Sequence, residues 1–425
     1  MIKKFLGIIL LILSIKAQAQ YKPDVIVIGG TAAGTAAAIQ AAKSGVKTLL
    51  INPKAILVGE NAPDMSIPAF DTGFWKVWKD SYQRKADSTS ADPRMVLSEI
   101  VKNTKDLQYL SETNITAITE RKGGWEIKLP INGKIEEIKC KVLVDATADI
   151  KLSPVVKFKL LPVDDNGKFV SLVSDDQKQQ SMPYNQLQKL YRTSGAAGFG
   201  KDCLTLRYIP LGAFIPQQKE NLLVVSMAAF KNYQSDDFKN IALWTNMGQA
   251  VGALAAYGPF FDTTPSKANV RLTQGEMFTY KSFLYPVTDI KTTDLAWYPI
   301  QKIIGSGILK LDFKTGHFNP DSTVKAQDVK SILTELYPRT RIWFIENKLV
   351  SDLALKDFIS MISFTTGRDP ISIKKEVEAN WKNKYKFSSD FAEDKIINKR
   401  EMAVLLDAYL SPFNIRVDFN GYFLR

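Results

Sequence analysis

The chain has 425 residues, of which 45% are hydrophobic and 24% are charged. This is the composition of a globular protein with two or three domains, and it excludes a disordered tail, a collagen and a coiled coil. The formal net charge is +12, but lysines and acids interleave along the chain. Because nucleic-acid binding needs a concentrated basic stripe, we expect no nucleic-acid partner.

The N-terminal residues have the pattern of a targeting signal. Lys3 and Lys4 precede an apolar run from Phe5 to Ile15, and Ala17-Gln18-Ala19 follows. These are the three regions of a secretory signal peptide, predicted at residues 1–19 and cleaved before Gln20. The apolar run is shorter than the roughly twenty residues that span a bilayer. We therefore expect an exported protein of the periplasm or cell envelope, with no membrane span in the mature chain. The alternative is an uncleaved anchor or a first buried strand.

The next segment reads as a strand, a turn and a helix. Asp24 to Ile28 is a continuous apolar run, Gly29-Gly30-Thr31-Ala32-Ala33-Gly34 follows, and Thr35 to Ser44 is rich in alanine. With a second strand at Val46–Ile51, this is a βαβ unit of the dinucleotide-binding type. N–H groups at such a helix N-terminus bind a diphosphate. The alternative is a tight turn without a ligand.

Two positions depart from the usual dinucleotide-binding pattern. Thr31 stands where the GxGxxG turn has its middle glycine, and Asn52 stands where an acid usually ends the second strand. That acid accepts hydrogen bonds from the ribose hydroxyls. Because charged hydrogen bonds are stronger than neutral ones, the sequence predicts that Asn52→Glu would tighten binding.

The rest of the chain is predicted in order as follows. Strands are predicted at 107–113, 115–119, 125–129, 135–140, 142–145, 204–215 and 222–226, with Asn132-Gly133 as a hairpin turn. Helices are predicted within 71–87 and at 93–104, 241–256, 297–306, 325–336, 354–365, 373–381 and 399–408. A domain boundary is predicted at Gly258–Lys267, where proline, glycine and threonine cluster.

Cysteine and histidine are scarce. Cys140 and Cys203 are the two cysteines and His317 is the single histidine. At most one disulfide can form, and free buried thiols are the alternative. No metal site is predicted, and a Ser-His-Asp or Cys-His catalytic centre is disfavoured.

Four segments in order resemble one family. They are DVIVIGGTAAGTAAAIQAAKSGVKTLLINP, VDATADIKLSP, LRYIPLGAFIPQQKENLLVVS and MGQAVGALAA. These segments resemble secreted bacterial FAD-dependent oxidoreductases of the xanthan-lyase-like type. The resemblance implies an α/β fold with a Rossmann-like FAD-binding domain at residues 20–258, which contains a small β-rich insertion at 154–200. A helical C-terminal domain at 259–425 completes the predicted organisation.

The resemblance also implies the cofactor and its binding residues. FAD would lie with its pyrophosphate against Gly29, Gly30, Ala32, Ala33 and Gly34, its adenosine ribose at Asn52, and its middle along Ala146 and Thr147. Gly248 and Gln249 would begin a helix whose positive end faces the flavin pyrimidine. Two family glycines are replaced: Ala148 stands at the glycine of the family's DATGD segment, and Val58 stands before Gly59 where the family has a glycine pair.

Residues 284–337 resemble an S-layer-homology module, and a second copy is predicted to end in Asn398–Leu410. The resemblance implies a contact with a cell-envelope polymer. The alternative is a structural cap that packs on the flavin domain.

These observations predict an exported FAD-dependent oxidoreductase that takes hydride equivalents from a small or glycan-derived substrate. No catalytic residue is assigned; Lys231, Tyr233, Asp236, Asp237 and Arg207 are candidates for a base. The alternative is a non-catalytic relative that keeps the fold as a scaffold or binding module of the cell envelope.

Overall fold

The computed structural model describes residues 22–66, 70–87, 91–148, 189–199, 206–216, 219–226, 241–312, 315–348 and 351–424. The predicted signal peptide, most of the 154–200 insertion, Cys203 and the base candidates at 231–237 lie outside these residues, as does the side chain of Arg207. None of the helices in the described ranges combines the length and apolar character that crossing a bilayer requires.

Ten strands and eleven helices are numbered here in chain order over the described residues. The strands are β1 (Val25–Ile28), β2 (Thr48–Ile51), β3 (Leu107–Leu110), β4 (Ala117–Arg121), β5 (Gly124–Ile131), β6 (Lys134–Cys140), β7 (Val142–Asp145), β8 (Ser194–Phe199), β9 (Leu206–Pro210) and β10 (Leu222–Val224). The helices are α1 (Ala32–Lys43), α2 (Gly73–Ala86), α3 (Pro93–Lys102), α4 (Ile241–Phe260), α5 (Val270–Thr279), α6 (Trp297–Ser306), α7 (Ala326–Leu336), α8 (Pro338–Asn347), α9 (Leu355–Thr366), α10 (Pro370–Trp381) and α11 (Lys399–Tyr409).

A five-stranded parallel sheet forms the centre of the N-terminal region. Its strand order is β10-β7-β1-β2-β3, and every neighbouring pair is parallel. β1, β2 and β7 are fully buried because helices cover such sheets, which explains their continuous runs of valine, isoleucine and leucine. All carboxyl ends of these strands meet at one edge, called here the carboxyl edge. The predicted Rossmann-like fold class is thus confirmed.

Helices α1 and α4 pack against each other through small side chains. A Cβ at Gly248 would collide with the carbonyl oxygen of Ala33, and one at Gly252 would collide with that of Ala37. Only glycine lets the two backbones approach this closely. The pair fixes where the N-terminus of α1 lies relative to the sheet.

A three-stranded antiparallel sheet, β4-β5-β6, follows β3 in the chain. The predicted turn is confirmed, with Asn132 at φ 50° and Gly133 at φ 78°. Left-handed conformations at both residues match the two-residue hairpin turn that Asn-Gly favours. Cys140, at the end of β6, is a free and buried thiol, and burial raises its pKa.

β8 and β9 form a separate antiparallel ribbon, which a buried arginine joins to the C-terminal helices. The Arg271 guanidinium donates to the carbonyl oxygens of Arg192 (3.1 Å), Gly305 (3.0 Å) and Ile415 (3.3 Å). Burial lowers the pKa of Arg271 to about 10. Because each acceptor belongs to a different segment, one side chain holds the ribbon and the C-terminal region together.

The C-terminal region contains three similar units. In each, an extended segment leads into a helix: residues 322–325 into α7, 351–354 into α9 and 395–398 into α11. Val324, Leu353 and Ile397 occupy equivalent buried positions in the three segments. Their main chains form a closed cycle, called here the three-segment ring. Val324 N donates to Ile397 O (3.2 Å), Ile397 N to Leu353 O (3.0 Å) and Leu353 N to Val324 O (2.9 Å).

The segment after α11 returns to the ribbon. Arg192 donates to the carbonyl oxygen of Gly421 (3.1 Å) and lies 4.0 Å from the ring centre of Phe423. Lys189 lies 3.9 Å from the ring centre of Tyr422. Residues 415–424 therefore cover the start of the segment that leads into β8.

Candidate functional site

Two turns meet at the carboxyl edge. Gly29, directly after β1, has φ 110°, and a Cβ on it would lie 2.5 Å from the carbonyl oxygen of Ala146, directly after β7. A Cβ on Gly34 would collide with the carbonyl oxygen of Gly29 and lie 2.8 Å from the Ala146 Cβ. Both positions need glycine so that the turn, α1 and the end of β7 can pack together.

Thr31 occupies the N-cap position of α1. Its hydroxyl oxygen accepts a hydrogen bond from Gly34 N (3.0 Å) and its hydroxyl donates to Ala146 O (3.0 Å). The threonine thus replaces the middle glycine of the pattern with a side chain that ties the first turn of α1 to the end of β7. An N-cap residue of this kind satisfies one of the free donors of the helix.

The next donors of α1 are not satisfied within the described chain. The main-chain N–H groups of Ala32 and Ala33 have no acceptor among the residues that the structure describes. Ala32 is 8% exposed and Ala33 is 2% exposed. A buried helix N-terminus with unpaired donors calls for a ligand, and anions bind there because the donors and the helix dipole act together. The residues present therefore fit a diphosphate.

Asn52, directly after β2, is 3% exposed and fully hydrogen-bonded. Its Oδ1 accepts from Gly30 N (3.3 Å) and Lys54 N (3.3 Å), and its Nδ2 donates to Ile56 O (3.1 Å) and to the Tyr109 hydroxyl (3.4 Å). An asparagine amide has two donors and two acceptor lone pairs, and all four are used. A bond to a ribose hydroxyl would have to replace one of them.

The loop after Asn52 closes over the glycine turn. Val58 N donates to Gly30 O (2.7 Å), and Val58 has φ 68° while Gly59 has φ 102°. A β-branched residue in the left-handed region is strained. The backbone therefore keeps the conformation of the glycine pair that the resemblance implies at this place, although the first glycine is a valine.

A buried carboxylate shapes the turn after β7. Asp145 is 0% exposed, and its Oδ1 accepts from Thr147 N (3.0 Å) and the Thr147 hydroxyl (2.6 Å). These bonds fix the turn that carries Ala146 against Gly29. Asp145 is not among the predicted site residues, although an acid at the end of an otherwise apolar strand is a signal for it.

Gly248 and Gln249 require a correction. The resemblance implies that they begin a helix, but α4 begins at Ile241, as the residue pattern predicts, and both residues lie in its interior. Gly248 permits the contact with α1, while Gln249 Oε1 accepts from Phe74 N (2.7 Å) and its Nε2 donates to Gln40 Oε1 (3.1 Å). Their observed roles are packing and hydrogen bonding between helices.

The structure thus brings most of the predicted residues together at the carboxyl edge, namely Gly29, Gly30, Ala32, Ala33, Gly34, Asn52, Ala146 and Thr147. An open surface cleft of about 800 Å³, lined by Lys43, Arg84, Glu99 and Asp106 among others, lies at the opposite edge of the sheet. It is separate from these residues.

One sequence family matches the chain. Residues 24–161 match the family described as FAD dependent oxidoreductase, and these residues contain the glycine turn, Asn52 and Asp145. FAD, the cofactor predicted from the sequence, is the cofactor of this family and is confirmed at that level. No curated protein matches the chain.

Solved structures with similar regions are distant. The p-nitrophenol 4-monooxygenase PnpA of Pseudomonas putida DLL-E4 is 11% identical, with 33% of this chain and 44% of that chain covered and a TM-score of 0.26. The OxyS anhydrotetracycline hydroxylase of Streptomyces rimosus is 11% identical, with 61% and 65% covered and a TM-score of 0.34. Lactococcus lactis thioredoxin reductase is 21% identical, with 29% and 35% covered and a TM-score of 0.21. The chain spans less than half of the first and third of these proteins.

Proposed function

We propose that this chain is an exported FAD-dependent oxidoreductase that takes hydride equivalents from a small or glycan-derived substrate. The observation that carries the proposal is the pair of N–H groups on the buried residues Ala32 and Ala33, which have no acceptor among the described residues. They lie at the carboxyl edge of a parallel sheet, where ligands of such folds bind.

FAD, when bound, supplies the hydride chemistry itself. The chain's own residues bind and position it. Ala32 and Ala33 would donate to the diphosphate, while Gly29 and Gly34 keep the turn close to the sheet. Thr31 and Asp145 hold that turn in place through Ala146 and Thr147. These contacts support a turn whose shape is set by the chain itself and suits the diphosphate of the cofactor.

The substrate side is proposed on the ribbon of β8 and β9, which packs on α4 through Asn246. Its Nδ2 donates to the carbonyl oxygens of Ala197 (2.8 Å) and Phe283 (2.6 Å). These two hydrogen bonds place the ribbon beside α4, the helix that contacts α1. No described side chain is assigned as a catalytic base.

Export and an envelope contact are parts of the same proposal. The signal-peptide pattern of residues 1–19 supports export. The three similar C-terminal units support a repeat module, and the proposed partner is a cell-envelope polymer. A structural cap is the second candidate, and the Arg271 bonds to three separate segments favour it.

The proposal is tested by titrating purified protein, freed of flavin, with FAD and following flavin fluorescence. The sharpest variant is Ala32→Pro, because proline is accepted at the first helical position yet lacks the N–H. We expect wild-type protein to bind FAD and Ala32→Pro to bind it several-fold more weakly, with an unchanged melting temperature.

The control is Ala32→Ser, which keeps the N–H and should bind as wild type does. If the wild-type protein binds no FAD, the proposal of an enzyme is wrong and that of a non-catalytic scaffold replaces it. If wild type and Ala32→Pro bind FAD with equal affinity, the Ala32 N–H in the first turn of α1 does not contact FAD.

A further inference from the structure

Because all hydrogen-bonding groups of Asn52 are used, the site has no free group for the ribose at the end of β2. The fold usually places a carboxylate at the end of the second strand for the ribose hydroxyls, but here that position holds a neutral amide with no spare donor or acceptor. A ribose that leaves these four bonds intact would have to be bound by other residues of the carboxyl edge.

β3 is the strand next to β2, and Glu112 follows it closely. The main chain after β3 is bonded to the main chain after β2: Glu112 N donates to Lys54 O (3.3 Å) and Thr113 N donates to Asn52 O (3.2 Å). These bonds place Glu112 beside the loop that carries Asn52. Glu112 has φ 51°, a conformation that costs free energy in a non-glycine residue and that often occurs at functional sites.

The carboxylate of Glu112 is available for a ligand. The residue is exposed, and its carboxylate forms no ion pair with any of the described residues. Burial raises the pKa of Tyr109, the hydrogen bond from Asn52 lowers it, and the negative charge of Glu112 raises it again. Tyr109 and Glu112 thus both contact the segment that follows β2, Tyr109 through Asn52 and Glu112 through its main-chain bond to Lys54.

Tyr109 supplies the complementary group. Its hydroxyl oxygen accepts from Asn52 Nδ2 (3.4 Å), while its proton has no acceptor in the described part of the chain. A ribose diol has two hydroxyls that can donate to a carboxylate and accept from a phenol. Glu112 and Tyr109 together present that acceptor and that donor, and Asn52 orients the phenol.

We propose that Glu112 and Tyr109 bind the 2′,3′-diol of the adenosine ribose, so that ribose recognition has moved from the end of β2 to the end of β3. The ligand class is a nucleoside diphosphate with a free diol, which includes FAD. This inference rests on the proposed function. Lys54, an exposed cation on the same loop, is the group that would instead favour a 2′-phosphate.

The test compares ligands that differ only at the ribose. Binding of ADP and of 2′,3′-dideoxy-ADP is measured calorimetrically for wild type, Glu112→Gln and the control Glu60→Gln, an exposed acid on the same edge. We expect Glu112→Gln to lose about five- to ten-fold in ADP affinity, the difference between a charged and a neutral hydrogen bond. It should lose nothing toward the dideoxy analogue, and Glu60→Gln should match wild type with both ligands.

Other outcomes overturn the inference. Equal ADP affinity of wild type and Glu112→Gln, or an equal loss toward both ligands, would show that Glu112 does not contact the diol. If 2′-phosphoadenosine 5′-diphosphate binds more tightly than ADP, Lys54 binds a 2′-phosphate at this position and Glu112 does not bind the diol. Failure of wild type to bind either FAD or ADP would overturn the proposed function as well, whereas FAD binding with an unaffected Glu112→Gln overturns this inference alone.

The substitution Asn52→Glu provides a second, independent test of this inference. Glutamate lacks the two N–H donors that bind Ile56 O and the Tyr109 hydroxyl, and it adds a second negative charge near Glu112. We therefore expect weaker ADP binding, the opposite of the expectation from the sequence. Tighter ADP binding would show that the residue at position 52 contacts the ribose, and this would overturn the inference.

Discussion

The carboxyl edge of the sheet and the three-segment ring of the C-terminal region both gather main-chain segments from separate parts of the chain, but they treat their hydrogen-bonding groups differently. At the carboxyl edge, the N–H groups of the buried residues Ala32 and Ala33 find no partner within the part of the chain that the structure describes. In the ring, Val324, Leu353 and Ile397 each donate to the next segment and accept from the previous one.

The difference separates a binding site from a structural core. Unpaired buried donors cost free energy unless a ligand satisfies them, so the first arrangement is stable only with a partner molecule or at the expense of stability. A closed cycle needs nothing further. We therefore expect substitutions in the ring to change stability alone and those at the carboxyl edge to change binding as well.

The largest effect is expected in the ring. Leu353 is 0% exposed, and Leu353→Ala should lower the free energy of unfolding by about 2–5 kcal/mol, because a buried cavity is left. Urea unfolding measures this value. Leu295→Ala, at a site that is 67% exposed, is the control and should change it by less than about 0.5 kcal/mol. A similar small change for Leu353→Ala would show that the ring is not a core.

The contact between α1 and α4 is the next test. Gly248→Ala places a Cβ against the carbonyl oxygen of Ala33 and should cost about 1–3 kcal/mol by overpacking. Gly275→Ala, in α5 with open space around the added Cβ, should stabilise by about 0.5–1 kcal/mol because alanine favours helix. Thermal unfolding of both variants decides, and equal effects would contradict the close packing.

Thr31 joins stability to binding at the carboxyl edge. Thr31→Val keeps the shape but removes the hydroxyl that bonds Gly34 N and Ala146 O, which should cost about 1–2 kcal/mol. FAD affinity should fall too, since the first turn of α1 loses its anchor. Thr31→Ser retains the hydroxyl and should resemble wild type in both measurements. A stability loss without any change in FAD affinity would separate Thr31 from the site.

Alkaline pH should act on the buried tyrosines of the ribbon and C-terminal region. Burial raises the pKa of Tyr285 to about 12, so the folded state holds this proton more strongly than the unfolded state. Its contribution to stability is present below pH 10 and is lost between pH 10 and about 12, at up to about 1.4 kcal/mol per pH unit. Tyr285→Phe should flatten this dependence relative to wild type, as measured by urea unfolding at pH 9, 10 and 11. Parallel curves for the two proteins would contradict it.

Much of the fold can be predicted from the sequence because the spacing of apolar residues and the turn residues determine secondary structure within short segments. The βαβ unit, the Asn132-Gly133 hairpin and the helix at Trp297–Ser306 are found where the pattern predicts them. α5 was not predicted because its buried face carries Arg271 and Gln274, so its apolar period is weak. α8 was not predicted because Ile342 and Ile345 are exposed, and this obscures its buried face.

The repeat was only partly predicted. The sequence indicates copies around α7 and α11, while the structure adds a middle unit at α9. Asp328, Asp357 and Glu401 occupy the same helical position in the three units, but the residues around them differ. The equivalence lies in main-chain hydrogen bonds, which side-chain patterns do not record.

At the site, the sequence indicates which residues converge but not what their side chains do there. Asn52 and Thr31 look like defects in a pattern until their bonds are seen. Glu112 carries no motif, because its place depends on how two loops pair after adjacent strands.

The bond between Arg192 and Gly421, which joins residues 229 positions apart, has a consequence for the order of folding. The segment that leads into β8 is covered only when residues 415–424 are available, and the ring closes only when its third segment has been made. Contacts between such distant residues form late and slow folding. A nascent chain therefore stays incompletely folded through most of its synthesis, and a truncation before residue 393 would leave the β8–β9 ribbon uncovered as well as the ring open.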